Sequence, residues 1–239
     1  NSINWARLMA QVVYYFWSYL QIDHKEINFI VPSGNFGNVF SANVAKKMGL
    51  PINQLHITTN QNDILHSSIK KGLMKKNVVT QTYSPSMDIQ VSSNFERQLF
   101  ESSGRDSDSI KDIFYEFSKN NSYTFDKDVQ NDLQSCYSTT AVSNDETLNA
   151  IKKIKEKYNY LADPHTSTGL HVLLEKEESL PWVSLACAHP AKFGDAIEKA
   201  TGELPTLPKD LSKLFDKEEK MTILDNNKEV LKSLIIKNL

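Results

Sequence analysis

Between Ile27 and Thr59 the sequence passes from a short apolar run, through a Pro-Ser-Gly turn, into a helix-forming stretch and out to a second apolar run. Ile27 to Val31 reads as a buried strand. A helix is expected from about Asn38 to Met48, with Gly49 placed to close it in a left-handed conformation and Pro51 preventing its continuation. Leu55 to Thr59 reads as the next strand. Strand, helix and strand within about 33 residues make a βαβ unit, which forces the two strands to be parallel and the crossover to be right-handed. The fold class is therefore α/β.

The flanks fit such a core. From Trp5 to Leu20 the residues Leu8, Met9, Val12, Val13, Phe16 and Leu20 recur at three- and four-residue spacing, with Ser2 or Asn4 available as N-cap, so a largely buried helix is expected there. Asp63 to Lys71 reads as a helix stopped by Gly72, and Asn94 to Glu101 as another. Residues 102–143 are rich in Ser, Asn and Asp and are expected to hold short helices in a peripheral segment. Ser143-x-x-Glu146 is a capping-box pattern opening a helix with Leu148, Ile151 and Ile154 on its apolar face. Pro164 is expected to start a helix reaching Leu174. Trp182 to Ala188 reads as a strand, leading through His189-Pro190 into a helix that ends near Gly202. After Pro208 the chain is lysine-rich, with Val230, Leu231, Leu234 and Ile235 at helical spacing. Residues 209–239 therefore read as a helical tail docking on a body formed by residues 1–208.

Composition narrows the function classes. With a formal net charge of -2, the 239 residues give no electrostatic reason to expect nucleic acid or an anionic membrane as partner, which leaves small-molecule chemistry. Cys136 and Cys187 form no C-x-x-C pair, so neither a disulfide framework nor a metal site is suggested, and a reducing cytoplasm fits. No apolar run approaches the roughly 18 residues of a membrane span. The chain starts Asn1-Ser2-Ile3-Asn4 without methionine and enters a helix at once, so a segment upstream is expected.

The chemistry is expected at Ser33-Gly34-Asn35-Phe36-Gly37-Asn38, between the first strand and its helix. Glycines here let backbone N–H groups converge, and the helix N-terminus adds partial positive charge, so the place suits a phosphate. The spacing is neither G-x-G-x-x-G, nor a P-loop, nor a G-x-S-x-G elbow. Two glycines at a strand-to-helix turn also have a purely structural explanation, since tight turns need them.

Five segments in series carry a resemblance: Asn1-Ser2-Ile3-Asn4-Trp5-Ala6-Arg7, Val31 to Asn38, Ser84-Pro85-Ser86-Met87-Asp88-Ile89, Ser92-Ser93-Asn94-Phe95-Glu96-Arg97, and Ala188-His189-Pro190-Ala191-Lys192-Phe193. In order and spacing they resemble threonine synthase. The resemblance implies the parallel-sheet, PLP-binding domain of the fold type II class, like the tryptophan synthase β chain, here incomplete at its N-terminus. It implies pyridoxal 5'-phosphate (PLP) as cofactor and the conversion of O-phosphohomoserine and water to L-threonine and phosphate. It further implies that Gly34, Asn35, Phe36, Gly37 and Asn38 cradle the cofactor phosphate, and that Cys187 ends the strand facing the pyridine nitrogen, where the family usually has threonine. A thiol is a weaker donor than a hydroxyl, but either leaves that nitrogen unprotonated. A small buried cysteine in a strand is the plain alternative.

Ser2, Asn4 and Arg7, near the start of the first helix, could bind the substrate phosphate; capping and a surface ion pair explain them as well. Asn60, Asn62 and Asp63 follow the second strand at the edge where open α/β sheets bind ligands, and a capped helix start is the equal alternative. His165 and His189 adjoin prolines and suit packing better than proton transfer. Lys192 stands one turn into a helix, in a motif the family has in addition to its catalytic lysine. In fold type II enzymes the Schiff-base lysine lies in a Ser-Phe-Lys-Asp type motif, and the sequence has no such tetrapeptide. The chain is thus expected to carry half a site, completed by an N-terminal segment of the same enzyme. Two competing readings are a module that binds a phosphate ligand without turnover and a threonine-synthase-like phospholyase.

Overall fold

The structure, a computed structural model, describes residues 4–176, 180–214 and 216–238. The chain divides into two compact units, Asn1–Pro205 and Thr206–Leu239. Among the described residues no helix is long and apolar enough to cross a membrane.

The first unit is built on a four-stranded sheet. Its strands are β1 (Ile27–Pro32), β2 (Ile52–Thr59), β5 (Tyr137–Ala141) and β6 (Trp182–Ser184), in the order β5-β2-β1-β6, and every pairing is parallel. The βαβ expectation holds: α2 (Gly37–Lys47) joins β1 to β2, and Gly49 (φ 101°) turns the chain after it. All six residues of β1 are buried, as befits a strand with β2 on one side, β6 on the other and both faces covered. Phe29, Val31, Leu55 and Ile57 join Tyr15, Phe36, Val39, Phe95, Leu99 and Tyr137 in one continuous core.

Helix α1 (Trp5–Leu20) forms with Asn4 as its N-cap, but it is not largely buried. Only Leu8, Val12 and Tyr15 are buried; Met9, Val13, Trp17 and Leu20 make a second stripe that stands exposed, Trp17 at 65%. Apolar residues at helical spacing on two faces were read as one wide buried face, whereas only one stripe meets the core.

Residues 102–143 also differ from the expectation of short peripheral helices. They contain α5 (Ser107–Asn120) and α6 (Lys127–Cys136), but also β4 (Ser122–Thr124), paired antiparallel with β3 (Leu73–Lys75), and β5, an outer strand of the main sheet. Tyr137-Ser-Thr-Thr-Ala141 was illegible as a strand because its polar hydroxyls pair sideways: His56 on β2 bonds Ser138 through Nδ1 (2.7 Å) and Thr140 through Nε2 (3.0 Å). The other helices fall close to expectation: α3 (Ile64–Lys71), α4 (Phe95–Ser102), α7 (Asn144–Tyr158), opened by the Ser143–Glu146 capping box, α8 (Pro164–Leu173) and α9 (Gly194–Thr201). In the second unit α10 (Lys228–Lys237) forms at the expected place and buries none of its residues.

His56 gives the fold a pH dependence. Burial, then the Lys176 and His66 charges, lower its pKa from 6.5 to about 4. Between those values the unfolded chain binds a proton that the folded chain refuses. The stability due to neutral His56 is therefore complete above pH 6.5 and is withdrawn as the pH falls toward 4, on the order of 3 kcal/mol in all. Urea unfolding of the parent and of His56→Gln at several pH values should show the parent losing that much more across this window; parallel profiles would contradict it.

Candidate active site

The parallel sheet sends the ends of β1, β2, β5 and β6 to one edge, and the loops leaving that edge carry the polar groups of interest. Ser33 to Phe36 connect β1 to α2 there. Phe36, not a glycine, takes the left-handed conformation (φ 63°, ψ 0°), with its ring fully buried against Phe95 (5.1 Å) and Tyr137 (5.4 Å). Neither Gly34 nor Gly37 has positive φ. What requires glycine at Gly34 is close approach: a Cβ there would lie 3.2 Å from Met87 Cα and 3.2 Å from Ser86 O.

The carbonyls of Gly34 and Asn35 are taken up by Ser92 and Asn94. Ser92 Oγ donates to Gly34 O (2.8 Å), and Asn94 donates to Asn35 O through both its backbone N–H and Nδ2 (3.1 Å each). Among the described residues the amides of Gly34 to Asn38 have no acceptor, and α2 has no side-chain cap. Phe36 and Gly37 are buried, so this is a buried helix N-terminus with its donors unspent, an arrangement that asks for an anionic ligand. Tyr15 supports it, its single hydroxyl hydrogen shared between Asn38 O (2.9 Å) and Asn38 Oδ1 (2.8 Å). Asn35 is exposed and Asn38 half-buried.

Cys187 lies beside this loop along the sheet, since β6 is the neighbour of β1. The strand ends at Ser184, three residues earlier than a strand ending at Cys187 required, because Leu185 makes the last bond to β1, to Ile30 O (3.0 Å). Cys187 is therefore an exposed loop residue rather than a buried strand cysteine. Although the residue as a whole is exposed, the protein packed round its thiol pushes the pKa up to about 12, with the Asp163 carboxylate adding to the rise and the Thr166 bond opposing it. The thiol is neutral at pH 7.

Asn60 and Asn62, both buried, hold the segment that backs Gly34. Asn60 Nδ2 shares its two hydrogens among Thr82 Oγ1 (2.8 Å), Ser84 Oγ (3.0 Å) and Asp88 Oδ1 (2.8 Å), and Asn62 Nδ2 donates to Thr80 O (2.8 Å). Asp63 precedes α3 without a side-chain cap bond. Asn4 Oδ1 caps α1 by accepting from Ala6 N (2.9 Å), Arg7 is exposed, and Ser2 lies outside the described residues. His189 caps the short 3-10 turn Pro190–Lys192, which places Lys192 in that turn rather than in a helix. The group that sequence reasoning passed over is Asp163. It precedes Pro164 at the start of α8, and an Asp-Pro pair opening a helix was its available signal. Its side chain is wholly buried and accepts from His165 N and Nδ1 (2.9 Å each), Thr166 Oγ1 and Ala188 N (3.1 Å). Burial pushes its pKa up, but the bonds from His165 and Thr166 more than offset that and hold the carboxyl below its usual range.

A cavity of about 610 Å³ bordered by His24, Leu170, Leu174 and Trp182 opens at the amino ends of β1 and β6, across the sheet from the loop. Its polar lining is His24, Lys157, Tyr158, Tyr160 and Lys176, none of which stands in the loops at the carboxyl edge of the sheet. Among the described residues no group of three or more His, Cys, Asp or Glu side chains could hold a metal ion.

Residues 166–235 match the family model described as threonine synthase, C-terminal. The chain is 42% identical over 231 residues to threonine synthase of Pseudomonas aeruginosa, covering 95% of this chain and 49% of the relative. It is 38% identical over 266 residues to that of Saccharomyces cerevisiae, covering 98% and 52%. Among solved structures, PLP-bound threonine synthase from Brucella melitensis superposes with a TM-score of 0.94 at 43% identity, over 98% of this chain and 51% of that one. The yeast threonine synthase structure gives 0.92 at 37% identity, over 99% and 52%. The chain spans about half the length of the relatives it matches.

Proposed function

The chain belongs to the threonine synthase family, and from that premise we propose that it forms the cofactor-gripping part of a PLP enzyme that converts O-phosphohomoserine and water to L-threonine and phosphate. The observation that carries this reading is the buried, uncapped start of α2, where among the described residues the amides of Gly34 to Asn38 have no acceptor while the carbonyls of Gly34 and Asn35 are bonded to Ser92 and Asn94. Those amides would receive the cofactor phosphate. Cys187, in the loop that follows the neighbouring strand, would meet the ring nitrogen, and its neutral thiol would leave that nitrogen without a proton. When bound, the cofactor supplies an electron sink for eliminations on the substrate. Ser2, Asn4 and Arg7 are the proposed contacts for the substrate phosphate.

The lysine that holds the cofactor is proposed to come from polypeptide corresponding to the half of the relatives that this chain does not span. Two observations favour this. The chain has no Ser-Phe-Lys-Asp motif, and α1 leaves Met9, Val13, Trp17 and Leu20 exposed along one face, a stripe suited to packing against further protein. A reducing compartment, the cytoplasm, suits the free Cys136 and Cys187.

The loop assignment is tested at Gly34. A methyl group there forces the backbone at Ser86 and Met87 to give way by a few tenths of an ångström. Overpacking of this kind costs about 1 to 3 kcal/mol, so Gly34→Ala should bind inorganic phosphate about tenfold more weakly or worse in calorimetric titration. Binding as tight as the parent's would remove the loop from the site.

A further inference from the structure

The phosphate loop and Cys187 are on separate loops, and a rigid ligand touching both needs the distance between them fixed. Asp163 and His165 are the groups that reach both sides. His165 Nδ1 donates to Asp163 Oδ1 (2.9 Å), while its Nε2 accepts the backbone N–H of Ser86 (3.1 Å). One nitrogen gives and the other receives, so the ring is a neutral imidazole with a fixed tautomer, 5% exposed and packed on Phe193 at 4.8 Å. Ser86 is the residue whose carbonyl lies against Gly34. On the other side the Asp163 carboxylate accepts from Ala188 N, and the Thr166 hydroxyl it holds accepts from Cys187 N (2.8 Å).

Resting on the cofactor reading above, we propose that Asp163 and His165 form a positioning pair that sets the span of the cofactor cleft. Through Ser86 the pair braces the phosphate loop, and through Thr166 and Ala188 it fixes the backbone that presents Cys187. Neither residue touches the cofactor. Asp163 holds both ends, His165 serves the phosphate end and Thr166 the ring end, so lesions at His165 and Thr166 should separate by ligand.

The experiment uses the 239-residue chain and two probes, inorganic phosphate and pyridoxamine 5'-phosphate, which needs no lysine and reports its binding by fluorescence. The parent should bind pyridoxamine phosphate about tenfold or more tightly than phosphate, because the ring adds contacts. Thr166→Val should keep phosphate affinity within about twofold and lose most of that advantage, whereas Asp163→Asn, which disturbs the partners on both sides, should weaken both probes. His165→Asn, which leaves Ser86 N–H without an acceptor, should weaken both probes about tenfold, and His165→Gln, whose Oε1 can accept that N–H, should recover most of the loss. If Asp163→Asn does not fold, Thr166→Val decides the ring end. Equal loss of both probes in Thr166→Val, no loss of the ring advantage, or no recovery in His165→Gln would overturn the positioning role while leaving the cofactor reading intact. A parent that shows no preference for pyridoxamine phosphate overturns the cofactor reading, and the positioning role with it.

Discussion

Phe36→Ala is expected to lower the unfolding free energy by about 3 to 5 kcal/mol, the range for truncating a fully buried aromatic residue. That is a large part of the roughly 5 to 15 kcal/mol that holds a domain folded, so the variant should sit near its unfolding midpoint under mild urea. Phe36 is 0% exposed, and its ring lies 5.1 Å from Phe95 and 5.4 Å from Tyr137, so α4, β5 and the loop all lose a packing partner at once. Its backbone sets a second expectation. At φ 63° an L-residue costs about 1 to 2 kcal/mol that glycine does not pay. Phe36→Gly should therefore be no less stable than Phe36→Ala, although glycine is ordinarily the worse choice. Urea denaturation of both variants checks this. A loss under about 1 kcal/mol in Phe36→Ala would show that the ring is not the loop's anchor.

The strain and its anchor explain one way in which the site was only partly legible. The position between a buried strand and a helix suggested a phosphate loop, and among the described residues the amides of Gly34 to Asn38 have no acceptor. Which residue would adopt the left-handed conformation was not legible, because glycine is the default and only tertiary packing can hold phenylalanine there. The same limit applies to β5: local propensity gives Tyr137 to Ala141 no inward-facing pattern, and its hydroxyls are accounted for by His56 and His66 from elsewhere in the chain. The βαβ unit, the capping box at Ser143 and the stop at Gly72 were legible because each depends on neighbours in sequence. Asp163 was missed for the opposite reason. Its partners His165 and Thr166 are close in sequence, but Ala188 and the Ser86 turn reached through His165 are brought to it by β6 and by the loop that Asn60 and Asn62 hold.

The second large effect is all-or-none. On the proposal above, the chain alone would offer a cofactor hydrogen bonds to its phosphate and a neutral thiol to its ring, but no lysine at the aldehyde carbon. The stripe of exposed apolar residues on α1, and relatives about twice its length, fit the proposal that more protein completes the site. Supplying the remaining half of a relative such as the Pseudomonas aeruginosa threonine synthase, fused or as a second chain, should therefore take the system from no measurable turnover of O-phosphohomoserine to threonine formation. Phosphate release without threonine would mark a phospholyase instead. The most direct measurement is borohydride reduction in the presence of PLP followed by peptide mapping. The chain alone should give scattered, low-level labelling of surface lysines. With the complementing half present, the label should concentrate on one lysine of that half, and threonine should appear. Stoichiometric labelling of the isolated chain at one of its own lysines, Lys192 for example, together with threonine formation, would contradict the account and show that these 239 residues hold a complete site.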